Sequence, residues 1–100
     1  MLEALSLPAV ASALKAHPEW TLDADRPAIH RSFRFADFTT AWGFMSQCAL
    51  HAERAGHHPE WSNVWATVEV TLTTHDAGGI SQLDLDFAAF MDRAAAQLTR

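Results

Sequence analysis

Polar and apolar residues alternate with period two over residues 29–35, which is typical of a strand with one buried face. A shorter run, Trp20–Leu22, is a second strand candidate. The polar residues 23–27 between them favour a turn, so the pattern predicts an antiparallel hairpin.

A longer alternating run covers residues 64–75. In this run Val64 and Ala66 fall on the same side as the following valines, and the threonines fall on the other side. The pattern predicts a half-buried antiparallel strand with a polar outer face. It leaves open whether this is one strand or two pieces broken near Ala66–Thr67.

Three further segments repeat apolar residues at three- and four-residue steps, as amphipathic helices do: residues 6–16, 37–55 and 81–98. Each begins with a residue that can cap a helix, and Gly56 followed by Pro59 ends the middle one. The predicted N-caps are Ser6, Asp37 and Ser81, the last with Asp84 completing a capping box. The middle helix is expected to bury Phe38, Ala41, Trp42, Met45, Ala49 and Ala52. Short connections between such elements predict an α+β domain with helices gathered on one face of an antiparallel sheet.

Composition narrows the classes of function. One hundred residues suit a single domain, residues 1–100. A formal charge of −5 with scattered basic residues argues against nucleic-acid binding. Cys48 is the lone cysteine and lies in an apolar helical pattern, which predicts packing in a reducing compartment. We read no leader and no membrane-spanning run, so we expect a cytoplasmic protein without membrane contact.

Candidate chemistry concentrates in residues 53–61, where His57 and His58 follow Glu53 and Gly56. His75 ends the second alternating run. Histidine can both donate and accept a proton near neutral pH, so imidazoles around one cleft suit acid–base catalysis. The alternatives are a solvated loop, or a metal site whose ligands would be His51, His57, His58 and Glu53, for which the spacing lacks the usual compact pattern.

Other candidates have ordinary structural explanations as well. Glu53 is either a surface residue or a partner that fixes a histidine tautomer. Trp20 and Trp61 suit either the core or a recognition surface. His17 and His30 have no other candidate residues near them in sequence, and His51 is expected on a polar helix face; all three are predicted to be surface residues.

One set of spaced residues comprises Ala52–Glu53, His57–Trp61, Asn63–Val64, Leu72, Thr74–His75, Gly79–Ser81 and Asp84. This set resembles the pterin-4a-carbinolamine dehydratase family. Phe33, Phe35, Asp37–Phe38 and Trp42–Met45 are also similar to that family, and the resemblance covers most of the chain. The chain departs from the family at Trp65, where the family often has tyrosine, and at Pro27, where it commonly has an acidic residue.

This resemblance implies four antiparallel strands with three helices on one face, and homodimers or homotetramers. It implies dehydration of 4a-hydroxytetrahydrobiopterin, or a related pterin, without a metal or other cofactor. The implied catalytic residues are His57, His58 and His75, supported by Glu53 and Asp84. The implied substrate-binding residues are Trp20, Gly56, Pro59, Trp61, Thr73, Thr74 and Asp76. The family also has members that bind a transcription factor through a helix surface, so the alternatives are a protein-binding role through residues 37–55 or pterin binding without turnover.

Overall fold

The structure, a computed structural model, describes residues 2–23 and 25–99. Its helices are α1 (Leu7–Ala13), α2 (Phe38–Ala55) and α3 (Gln82–Leu98), and its strands are β1 (Thr21–Leu22), β2 (Ile29–Arg34), β3 (Glu60–Val64) and β4 (Thr67–Leu72). Short 3-10 turns follow α1 at Leu14–Ala16 and β4 at His75–Ala77. The turn predicted for residues 23–27 includes residue 24, which lies outside the described residues.

The strands form one antiparallel sheet in the order β1-β2-β4-β3. Alternate residues of β2 and β4, including Phe33 and Val70, are buried on the face that meets the helices. The same core contains Val10 from α1, Phe44 from α2 and Phe87 from α3. The predicted α+β class, a four-stranded antiparallel sheet with three helices, is therefore confirmed.

Helix starts follow the predicted local chemistry. The side chain of Ser6 accepts from the Ala9 amide, and that of Asp37 accepts from the Thr40 amide. The hydrogen bonds from the Thr40 side chain and backbone lower the pKa of the Asp37 carboxyl. At the start of α3 the capping box of Ser81 with Asp84 is present. These contacts satisfy amide groups that a helix end otherwise leaves unpaired.

The second alternating run is two strands rather than one. Val64 pairs with Thr67 across a tight turn, in which Trp65 has a φ of 49°. A large side chain seldom adopts this left-handed conformation, and the turn reverses the chain there. The prediction that Val64 shares the buried face is wrong, because the reversal leaves it 76% exposed on the open face. Ala66, by contrast, is buried.

The predicted core face of α2 is only partly right. The buried residues are Ala41, Phe44, Cys48 and Ala52. Phe38 and Trp42 stack on each other, with ring centroids 6.3 Å apart, and remain 47% and 57% exposed. The buried face of α2 is rotated from the predicted one, because Phe44, which the prediction omitted, packs against Phe33 and Phe35 of the sheet layer. Ala49, also predicted to face the core, is exposed.

Cys48 is fully buried, as its apolar pattern predicted. Burial raises the pKa of its thiol to about 12, because a thiolate loses hydration in the core.

His17, His30 and His51, which were predicted to be surface residues, are partly buried and each has partners. His17 pairs with Asp92, and His30 contacts both Glu69 and Thr71. His51 packs against the rings of Phe87 and Phe90, at centroid distances of 4.6 and 4.4 Å. Each partner lies far away in sequence, which is why the local pattern did not reveal it.

No helix in the described part of the chain combines the length and the apolar character needed to cross a membrane.

Candidate active site

A cleft of about 260 Å³ opens where the end of α2, the start of β3 and the end of β4 meet the start of α3. We call it the histidine cleft, because the three histidines predicted to share a pocket all line it. Its lining residues are Leu2, Gly56, His57, His58, Glu60, Thr73, Thr74, His75, Asp76 and Leu83.

The end of α2 positions His57 and His58. Gly56 ends the helix in the left-handed conformation, with a φ of 64°, which glycine adopts without the cost that a side chain brings. The His57 amide donates to the carbonyl of Ala52, 3.1 Å away, and closes the turn. The chain then leaves His57 buried and His58 exposed, so the neighbouring rings meet different surroundings.

The carboxylate of Asp84 is hydrogen-bonded to the ring of His57. Asp84 is fully buried, and its Oδ2 accepts from the Thr74 hydroxyl at 2.7 Å and from the Ser81 amide at 2.9 Å. Its Oδ1 lies 2.5 Å from Nε2 of His57. Because a carboxylate accepts hydrogen bonds, Nε2 of His57 carries the hydrogen of this contact. Nδ1 is then the ring nitrogen left to exchange a proton.

A second layer of hydrogen bonds fixes Asp84 in turn. The hydroxyls of Thr74 and Ser81 lie 2.6 Å apart, and the Ser81 hydroxyl accepts from the Leu83 amide. The backbone of Thr74 also pairs with that of Gly79. Asp84 therefore has two roles. Its Oδ2 helps to cap α3, and its Oδ1 orients His57.

His58 has a weaker attachment. Its Nε2 lies 2.9 Å from Oε1 of Glu53, and the two side chains are 64% and 79% exposed. Exposed pairs of this kind contribute little to stability, because water competes for both partners. The predicted contact between Glu53 and a histidine is thus formed with His58, and it leaves this ring free to reorient.

His75 also lines the cleft, at the first position of the 3-10 turn that follows β4. The turn ends at Gly78, whose φ of 73° is again left-handed. Thr73, just before it, donates its hydroxyl to the carbonyl of Pro27 at 2.8 Å. His75 and Asp76 are exposed, so the wall that carries His75 faces incoming solutes.

Three of the predicted substrate-binding residues do not line the cleft. Trp20 is 3% exposed, packs edge-on against Phe33 and donates its indole hydrogen to Asp92. Trp61 is half-buried against the core, because its place on β3 opposite Val70 turns it toward the helices. Pro59 precedes β3 and is also absent from the lining. That these three residues bind substrate stays a prediction.

The sequence did not single out Glu60, Leu83 or Leu2 as cleft residues. Glu60 could have been found, since alternation over residues 60–64 sets it on the opposite side of β3 from Trp61. Leu83 lies one residue before Asp84 and was assigned only to the helix stripe. Leu2 gave no signal.

The chemistry available in the histidine cleft is proton transfer. It brings together imidazoles, the carboxylates of Glu60 and Asp76, and the hydroxyl of Thr73. Over residues 2–23 and 25–99, no group of three or more His, Cys, Asp and Glu side chains is arranged to hold a metal ion.

This α+β fold and histidine cleft can be set beside known proteins. Residues 3–94 match the family described as pterin 4 alpha carbinolamine dehydratase. A protein of Bradyrhizobium sp. is 52% identical over 99 residues, which are 99% of each chain. One of Novosphingobium aromaticivorans is 63% identical over 75 residues, covering 75% of this chain and 78% of its own length. Both carry the name pterin-4-alpha-carbinolamine dehydratase as a provisional assignment.

Solved structures give the same result. A Brucella melitensis protein described as a transcriptional coactivator/pterin dehydratase has a TM-score of 0.91 and 45% identity, covering 93% of this chain and 99% of its own. A pterin dehydratase-like protein identified as a RuBisCO assembly factor in the alpha-carboxysome has a TM-score of 0.66 at 24% identity, covering 77% of this chain and 89% of its own, and shares the fold. The chain belongs to the pterin 4 alpha carbinolamine dehydratase family.

Proposed function

We propose that this protein removes water from a pterin-4a-carbinolamine, such as 4a-hydroxytetrahydrobiopterin, and releases the quinonoid dihydropterin in the cytoplasm. This step would support tetrahydropterin recycling after aromatic amino acid hydroxylation. The observation that carries the proposal is the convergence of His57, His58 and His75 on one cleft. Membership of the family supports the class of substrate.

The reaction needs two proton transfers and no external electrons. The bond between C4a and the hydroxyl oxygen breaks, and a proton added to that oxygen lets water leave. The proton on N5 is lost, and its electron pair forms the C4a–N5 double bond. An acid near the hydroxyl and a base near N5 are therefore sufficient, and two imidazoles in opposite protonation states supply both.

We assign the acid and base roles to His57 and His75, in either order, and the orientation of the pterin to His58. Asp84 is a positioning residue, which acts by holding the tautomer and direction of His57. Glu53 has a similar but weaker part through His58. Gly56, Thr73, Thr74 and Asp76 form walls of the cleft that the pterin would contact.

The test is a dehydration assay. An aromatic amino acid hydroxylase generates the carbinolamine, and the absorbance of the dehydration product is recorded over time. Wild-type protein should accelerate dehydration, and His75→Ala should lose most of that acceleration. His30→Ala is the matched control, because His30 contacts Glu69 and Thr71 on the sheet and is absent from the cleft lining. Folded wild-type protein without acceleration, or full turnover by both His57→Ala and His75→Ala, would contradict the proposal.

A second candidate function is protein binding through α2. The stacked pair Phe38 and Trp42 is about half exposed, and exposed clusters of large apolar side chains commonly mark interaction surfaces. We propose self-association here, as a homodimer or homotetramer, with a different protein partner as the alternative. The Brucella relative, described as both coactivator and dehydratase, is consistent with two roles in one family. Sedimentation should show a smaller species for Trp42→Ala if this surface joins copies of the chain.

A further inference from the structure

A second cavity adjoins the histidine cleft. It has a volume of about 310 Å³ and shares Glu60, Thr73 and His75 with the cleft. We call it the Arg26 cavity after one of its lining residues; Pro27 and the pair Gly78–Gly79 also line it. His75 therefore has the proposed reaction site on one side and a separate space on the other.

The Arg26 cavity is polar at its outer edge. The guanidinium of Arg26 donates to Oε1 of Glu60 at 2.6 Å, and the two side chains are 45% and 57% exposed. The contact joins the loop before β2 to the first residue of β3. Because water reaches both partners, this pair contributes little to stability, and its groups can exchange partners with a ligand at small cost.

The geometry of the proposed reaction directs part of the substrate into this space. Carbon C6 of a pterin is bonded to N5, the atom that loses a proton. The first atom of a substituent on C6 is therefore two bonds from the reacting nitrogen, close to the imidazole that exchanges the proton there. When that imidazole is His75, the room for the substituent is the Arg26 cavity. The cleft and the Arg26 cavity share Glu60, Thr73 and His75, so a substituted ring can extend from one space into the other.

We propose that Arg26 and Glu60 form a subsite for a polar, hydroxylated substituent on C6 of the pterin, and so set the side-chain preference of the enzyme. The inference rests on the proposed function. Hydroxyl groups donate and accept, and the guanidinium of Arg26 with the carboxylate of Glu60 supplies both complements. A substrate that lacks the hydroxyls leaves these groups to water and gains nothing from them.

The experiment compares two 4a-carbinolamines, one with a dihydroxypropyl group on C6 and one with a methyl group. Wild-type protein should favour the dihydroxypropyl substrate in kcat/KM by about tenfold, the effect of one or two hydrogen bonds at a half-exposed site. Arg26→Met should remove most of that preference and leave kcat/KM for the methyl substrate nearly unchanged, because Arg26 lines only the Arg26 cavity. Glu60→Gln should also remove the preference, whatever it does to kcat/KM for the methyl substrate, because Glu60 lines the histidine cleft as well. Arg34→Met, at an exposed arginine outside both cavities, is the control and should keep the preference.

The outcomes separate the two levels of the proposal. Equal use of both substrates by wild-type protein, or equal losses on both in the two variants, would overturn the subsite while dehydration itself stands. Acceleration of neither substrate by folded wild-type protein would overturn dehydration and the subsite together. The two variants lie on different segments and at exposed positions, so a folding defect in one leaves the other informative; thermal midpoints identify such a defect.

Discussion

Two aspartates on α3 each hold a histidine, and the two clusters differ in what the histidine can reach. Asp84 is fully buried and pairs with His57, a residue that lines the histidine cleft. Asp92 is 20% exposed at its side chain and lies 2.7 Å from Nδ1 of His17. It also accepts from Trp20 and from the cationic Arg31.

The difference shows that a carboxylate–histidine contact alone does not define a reactive site. The partners of Asp84, other than the histidine, are neutral donors, whereas Asp92 is already neutralised by Arg31. A cavity of about 300 Å³ also lies beside Asp92, but no histidine lines it. The Asp92 cluster joins the end of α1 and strand β2 to α3, so its role is structural. The Asp84 cluster holds a histidine that lines the same cleft as two others.

The largest expected contrast is between the two histidines. His57→Ala should lower turnover of the carbinolamine by about 10²–10⁴-fold, the usual contribution of a general acid or base. His17→Ala should leave turnover unchanged and lower only the stability, by about 1 kcal/mol for the lost hydrogen bond. Steady-state assays and urea unfolding of both variants measure this. Similar turnover in the two variants would remove the distinction between the clusters.

The aspartates themselves give the next contrast. Asp84→Asn should lower turnover by about 10–100-fold, because the amide no longer fixes the tautomer of His57. Asp92→Asn leaves the mostly buried guanidinium of Arg31 without its countercharge, so we expect about 3 kcal/mol of lost stability with turnover intact. Unfolding curves and assays on the same preparations separate the effects. An active Asp84→Asn protein would show that the ring needs no such partner.

Thr74 tests the layer behind Asp84. Thr74→Val removes the buried hydroxyl that contacts both Asp84 and Ser81, and should cost about 1–3 kcal/mol of stability with a smaller loss of turnover than Asp84→Asn. Thr74→Ser keeps the hydroxyl and serves as the control. Were the serine and valine variants equally impaired, the methyl group of Thr74, and not its hydrogen bonds, would be the important part.

The smallest expected effect concerns His51, which packs against phenyl rings instead of a carboxylate. Burial, with the charges of Arg54 and Arg93, holds its pKa below the ordinary value of 6.5. The folded state resists protonation of His51 more than the unfolded chain does. The contribution of His51 to the free energy of unfolding is therefore fully present above pH 6.5 and is lost as the pH falls below it. His51→Phe should therefore flatten the decline in unfolding free energy on the acid side. An unchanged pH slope in the variant would assign the decline to other groups.

Local patterns predicted much of this fold, because short-range physics sets them. The N-caps at Ser6 and Asp37, the capping box at Ser81 and the glycine end of α2 depend on residues within a few positions of one another. The period-two run of β2 was equally readable. The turn at Trp65 was not, since its left-handed backbone contradicts the ordinary preference of a bulky residue.

The candidate site was only partly predictable. His57, His58 and His75 were grouped by resemblance to a family, and the structure places them on one cleft. Trp20 stayed ambiguous, because an apolar aromatic residue looks alike in sequence whether it faces a core or a ligand. The contact between Asp84 and His57 was hidden by a sufficient local explanation, the capping box, which uses only one of the two carboxylate oxygens.

The amino-acid order by itself therefore determined the elements, their caps and the class of fold, since those follow from periodicity and from hydrogen bonds between near neighbours. Only the tertiary structure decided which carboxylate meets which histidine, which tryptophan enters the core and where two cavities adjoin at His75. Those outcomes depend on contacts between segments distant in the chain, and their geometry exists only once the sheet and helices have packed.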